Sequence, residues 1–134
     1  MTVLVDTSAW IEFLRRTGSS AHLEVRRVIR NETASTCGAV MMEVLAGAND
    51  EDHAESLQML FDDVEKHHVD FGHFEEAAAI HRYCRSRGVT VRSMVDCVIA
   101  AVALRENHEL LHNDRDFNAI ASVLPLRIHP ASAA

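Results

Sequence analysis

Cysteine is scarce in this sequence. Cys37, Cys84 and Cys97 are odd in number, widely spaced and form no CxxC pair. That argues against a disulfide framework or a zinc ribbon and fits a reducing, cytoplasmic location. Basic charge is also short: 13 Lys plus Arg face 20 Asp plus Glu, for a formal net charge of −7, and Lys66 is the only lysine. A whole-surface attraction to nucleic acid is therefore excluded. Long apolar runs are missing too. The longest, Val95 to Leu104, is interrupted by Asp96 and falls short of the roughly 18 residues expected of a membrane span, so no membrane partner is expected. The opening MTVLVDTSAWIEFL has no basic n-region and carries Asp6, unlike a signal peptide. No internal repeat, linker or low-complexity block interrupts the chain. What is present is 134 residues, 48% hydrophobic and 25% charged, which are the proportions of one globular domain.

Short apolar runs alternate with helical patterns. Strands are expected at Val3 to Val5, Ala34 to Cys37, His68 to Phe71, Glu109 to His112 and Leu126 to His129. The first helix, capped by Thr7 or Ser8, carries Trp10, Ile11, Phe13 and Leu14. Others start at Ser20, Gly38, Asn49, Gly72 and Ser93, and a short one covers Asp114 to Val123. The Asn49 helix opens on Asp50, Glu51 and Asp52, which suits a positive helix N-terminus. Gly88 is the expected C′ residue of the helix before it. Strands that are apolar throughout belong to buried parallel sheets. The expected fold is α/β: a three-layer domain over residues 1–130, with a central parallel sheet of four or five short strands and helices on both faces. Residues 131–134 are expected to fray.

In such sheets ligands bind at the carboxyl ends of the strands. Asp6 ends the first strand, and Glu43 lies in the helix after the second. Asp96 lies in the first turn of the apolar helix, and Asp114 and Asp116 follow the strand ending at His112. Each acid has a plain structural role open to it. Asp6 can be a turn residue and Glu43 a solvated helix residue. Ser93 and Asp96 approximate a capping box, and Asp114 and Asp116 suit a helix start. Together, however, these carboxylates repel one another unless a cation joins them. Oxygen donors select hard ions such as Mg²⁺ or Mn²⁺, which serve phosphoryl transfer and phosphodiester hydrolysis.

A second metal pattern competes. His108-Glu109-Leu110-Leu111-His112 matches HExxH, which requires a helix to bring both histidines to one face. Here the five residues sit between two expected helices and read as a strand, so the match is rejected. The remaining histidines read as structural, and Cys97 as a packed thiol.

Four segments resemble the motifs of PIN-domain proteins, in order: Val3-Leu-Val-Asp6-Thr-Ser-Ala-Trp10, Met42-Glu43-Val-Leu-Ala-Gly47, Val91-Arg92-Ser93-Met-Val-Asp96-Cys97 and Asn113-Asp114-Arg115-Asp116-Phe117. The resemblance covers essentially the whole chain and is strongest to the VapC toxins of type II toxin–antitoxin pairs. It implies a PIN fold and a Mg²⁺- or Mn²⁺-dependent endoribonuclease that acts on RNA. It also implies a VapB-type antitoxin as partner and a homodimer. The catalytic and metal-site roles it implies fall on Asp6, Glu43, Asp96 and Asp114, with Asp116 as a further acid and Thr7 or Ser8 in support. Asn113 and Val95 depart from the family pattern, where polar or basic residues are common, and bear on second-shell bonding or substrate fit.

Arginine is the available phosphate fork, and Arg92, beside Asp96, is the first candidate for RNA contact. Two other acid-based enzymes fit poorly. A haloacid-dehalogenase-type phosphatase needs an acid where Ser8 stands, and a receiver domain needs a late lysine. The alternative retained is a catalytically weak PIN fold that binds RNA or antitoxin.

Overall fold

Three residues of β-branched or leucine type, Val3–Val5, form β1 and are buried throughout. The computed structural model describes residues 1–134. After β1 come α1 (Thr7–Leu14), α2 (Ser20–Arg30), β2 (Ala34–Cys37), α3 (Gly38–Ala46), α4 (Glu51–Phe61) and β3 (Glu65–His67). Then follow α5 (Phe71–Ser86), α6 (Met94–Glu106), β4 (Glu109–Leu111) and α7 (Asp116–Ala121). The strands form one parallel sheet in the order β3-β2-β1-β4.

That order decides where a site can form. From β1 to β2 to β3 the chain steps one way across the sheet, and from β3 to β4 it steps back. Right-handed crossovers then set α1 to α4 on one face and α5 and α6 on the other. The packing agrees: α1 lies against α2 and α3, α3 against α4, and α5 against α6. The reversal falls at β1, so the crevice opens beyond its carboxyl end. Val3 pairs with Ala34 on one side and Glu109 on the other, so Asp6, Cys37 and His112 emerge at one level. Fully buried Trp10 anchors α1, its ring edge-on to Phe61 with centroids 5.2 Å apart. In α6, residues Asp96 to Ala103 are all buried, which fits the long apolar run.

Four expectations are corrected. The third strand is Glu65–His67 rather than His68 to Phe71. This edge strand carries polar, largely exposed side chains and gives no apolar signal, because backbone pairing with β2 alone holds it. The expected last strand shrinks to one bridge, Leu110 with Ile128. Its ladder ends at His129, because the next donors turn to side chains: Ala131 N to His129 Nδ1 and His112 N to Ser132 Oγ, each at 3.0 Å. The tail is docked rather than frayed. Ala133 N donates to His112 O at 3.1 Å, Asn118 Nδ2 to Ala133 O at 3.0 Å and Ser20 Oγ to Ala131 O at 2.9 Å. Finally, Asp6 caps α1, accepting from Ser8 N at 2.9 Å, in place of Thr7 or Ser8.

Candidate metal centre

The five acids reach the crevice by four routes, with Asp114 and Asp116 sharing the junction between β4 and α7. Asp6 follows β1 and is buried. Its Oδ2 accepts from Ser8 N at 2.9 Å and Ser8 Oγ at 2.6 Å, while its Oδ1 is buried with no hydrogen-bond partner. Glu43, on α3, accepts from Thr7 Oγ1 at 2.6 Å. Thr7 and Ser8 therefore support different acids. Asp96 lies in the first turn of α6, and Ser93 makes no capping bond there, so the capping-box role does not apply. Asp114 accepts from Asp116 N at 3.0 Å, which tightens the loop entering α7.

One carboxylate oxygen from each of Asp96, Asp114 and Asp116 lies within 4.8 Å of the other two. Asp6 and Glu43 stand outside that triad but within its field. Burial pushes the Asp96 carboxyl up to about 7, and the charges of Asp6, Asp114, Glu43 and Asp116 add to the effect. Burial also raises Asp6 to about 6, against the hydrogen bonds from Ser8. Two buried acids with raised pKa values, Asp6 and Asp96, crowded with three more carboxylates and leaving one buried oxygen without a partner, are a donor set suited to a hard divalent cation. The neighbouring Cys97 thiol is pushed up to about 11 by burial. It is therefore a packed thiol rather than a soft ligand or nucleophile.

The loop carrying Asp114 is held by a network that local sequence patterns do not reveal. Asn113 N donates to Ser8 Oγ at 2.8 Å. Asp114 N donates to His112 Nδ1 at 3.0 Å, and His112 Nε2 donates to Asn118 Oδ1 at 3.0 Å. Burial keeps the His112 pKa below the usual imidazole range, as this neutral tautomer requires. His112 N donates to Ser132 Oγ at 3.0 Å, so the C-terminal tail completes the loop. These bonds occupy His112, and β4 holds Glu109 in a strand. The HExxH zinc arrangement is thus absent.

Arg92 Nη2 lies 3.0 Å from Asp116 Oδ1, with 80% of its side chain exposed. It forms the rim of an open cleft of ≈ 640 Å³, shared with Ser8, Asn113, Asp114, Arg115 and Ala133. Arg115 belongs to no motif of its own, and its position between Asp114 and Asp116 is its one local signal. A second cleft, ≈ 370 Å³, runs between α1, α3 and α4. Ile11, Leu14, Val44 and Leu57 line it, and Glu43 stands at its edge.

The PIN domain family model matches residues 3–123. Ribonuclease VapC11 of Mycobacterium tuberculosis is 42% identical over 128 residues, covering 93% of this chain and 96% of the relative. VapC ribonuclease Mb1587 of Mycobacterium bovis is similar to the same degree. Among solved structures, VapBC2 from Rickettsia felis, bound to a DNA fragment from its promoter, is similar with a TM-score of 0.78 and 14% identity, covering 100% of both chains. The sarcin–ricin loop cleaving toxin VapC20 of Mycobacterium tuberculosis is similar with a TM-score of 0.67 and 23% identity, covering 94% of this chain and 99% of that one.

Proposed function

Because the chain belongs to the PIN domain family, in its VapC branch, we propose that it is an endoribonuclease toxin that hydrolyses RNA phosphodiester bonds with Mg²⁺, or Mn²⁺ in its place. The observation that carries this reading is the meeting of the Asp96, Asp114 and Asp116 carboxylates beside the unpartnered Asp6 Oδ1. Those four residues would hold the cation. When bound, it supplies positive charge that offsets charge developing on the phosphate and makes water more acidic.

The chain's own residues do the rest. Glu43, fixed by Thr7, accepts a proton from the attacking water as its oxygen bonds to phosphorus and the leaving oxygen departs. Ser8 fixes the rotamer of Asp6 and ties it to the Asn113 backbone. Arg92 and Arg115 on the cleft rim bind the flanking phosphates, which brings a polyanion to a chain of net charge −7 by local rather than bulk attraction.

The proposed protein partner is a VapB-type antitoxin. The cleft of Ile11, Leu14, Val44 and Leu57 suits an amphipathic segment, with a basic residue meeting Glu43 at its edge. In the same reading the chain pairs with a second copy, which sedimentation at micromolar concentration checks. Residues 1–130 act as one domain, and the docked tail belongs to the site.

The test is incubation of the antitoxin-free protein with total RNA in Mg²⁺, in Mn²⁺ and in EDTA. Discrete cleavage that EDTA abolishes is expected. RNA binding without cleavage in any of the three would replace the nuclease with the binding module.

A further inference from the structure

Away from the acidic crevice, three donor side chains from two segments converge. His67 is the last residue of β3 and Glu106 the last of α6, and His108 lies in the turn between α6 and β4. One donor atom from each lies within 4.8 Å of the other two. The imidazoles are 4.9 Å apart and tilted by 46°, which is not a parallel stack. His67 Nε2 is shielded from solvent and bonds to nothing in the protein. A buried imidazole nitrogen without a partner is unusual and calls for an occupant.

The donor set is two imidazoles and the Glu106 carboxylate, with the charge of Glu65 close enough to act on His108. Glu65 stands two residues before His67 on β3, hence on the same face of the strand. Two imidazole nitrogens and a carboxylate oxygen suit zinc, whereas the all-oxygen crevice suits Mg²⁺. Tetrahedral zinc bonds of about 2.0–2.1 Å put donors about 3.3 Å apart, so donors up to 4.8 Å apart must close by up to about 1.5 Å through side-chain rotation.

We propose that His67, Glu106 and His108 form a second metal site, for Zn²⁺, with Glu65 as the candidate fourth ligand, that clips the end of β3 to the α6–β4 turn. The HExxH string contributes only its first histidine to this site. The assignment is independent of the nuclease reading.

The experiment is calorimetric titration of Zn²⁺ into the full chain, with millimolar Mg²⁺ present to occupy the crevice. Three proteins are compared: wild type, the double variant Asp96→Asn with Asp114→Asn, and the double variant His67→Gln with His108→Gln. One equivalent of Zn²⁺ is expected to bind the first two alike and at least 10-fold more weakly to the third. Zinc should raise Tm in the first two only. If the histidine pair does not fold, Glu106→Gln, at an exposed position, takes its place with the same expected loss of affinity. Zinc affinity lost with the crevice acids, or unchanged without the histidines or Glu106, would overturn the site.

Discussion

The hydroxyl of Ser8 accepts the backbone N–H of Asn113 at 2.8 Å while donating to Asp6 Oδ2 at 2.6 Å. One side chain thus joins the end of β1 to the loop after β4, 105 residues later in the sequence. Ser8→Ala removes both bonds and leaves Asp6 with a single donor at Oδ2. The expected cost is about 1–2 kcal/mol of stability. A 10-fold or greater fall in kcat is also expected, with KM little changed. Urea unfolding and steady-state RNA cleavage check this, and a kcat equal to wild type would remove Ser8 from the positioning role.

Asp6 and Asp96 should make stability in EDTA fall as pH rises. Their folded pKa values are raised to about 6 and about 7 from 3.8, so the folded state binds these protons more tightly than the unfolded chain. The stabilisation is fully present below pH ~4 and is lost as pH climbs through 6 to 7. Asp96→Asn removes one of the two groups. At pH 8 in EDTA it is expected to be about 1–3 kcal/mol more stable than wild type, with a flatter pH dependence. Mg²⁺ should raise the wild-type Tm more at pH 8 than at pH 5. Melting curves across that range give the answer, and a variant as pH-sensitive as wild type would contradict it.

Removal of the acids should separate chemistry from folding. Asp6→Asn and Asp114→Asn are expected to lower RNA cleavage at least 100-fold while the far-ultraviolet dichroism stays that of wild type. Wild-type cleavage in either would end the proposed scheme.

Charge reversal at Arg92 should act on binding. Its side chain is exposed and its one ion pair is with Asp116, so its loss costs little stability. Arg92→Glu is expected to raise KM for RNA by roughly tenfold and to leave Tm within a degree or two. Unchanged RNA affinity would reduce Arg92 to a neutralising partner of Asp116.

Asn118 tests the tail. It accepts from His112 Nε2 and donates to Ala133 O, each at 3.0 Å. Asn118→Ala is expected to cost about 1–3 kcal/mol, since it leaves buried His112 without its acceptor. Amide exchange at Asp114 should accelerate. Exchange as slow as in wild type would mean that the loop is held by Ser8 alone.

The alternation of strands and helices was legible because it is written in neighbouring residues. The run Val3 to Val5, the apolar stretch of α6 and the left-handed Gly88, with φ of 77°, each declare themselves locally. So did the acids, which stand just beyond apolar runs at the ends of β1 and β4, in the second turn of α3 or in the first turn of α6. β3 was misplaced because the exposed Glu65 and Lys66 carry no burial signal. The tail gives no local signal because Ala131, Ser132 and Ala133 are small and polar or weakly apolar, and their partners, the His112 backbone, Asn118 and Ser20, are brought to them only by the tertiary fold.

The sequence by itself determined the α/β order, the set of acids and the shortage of basic charge that confines phosphate binding to local arginines. Tertiary structure decided the rest. It grouped Asp116 with Asp96 and Asp114, assigned Thr7 to Glu43 and Ser8 to Asp6, and closed the loop with the C-terminal residues. It also brought His67 to His108. Periodicity and residue type act over a few positions, whereas these pairings join groups as far as 105 residues apart, as between Ser8 Oγ and Asn113 N, and only the packing of the crossovers sets those distances.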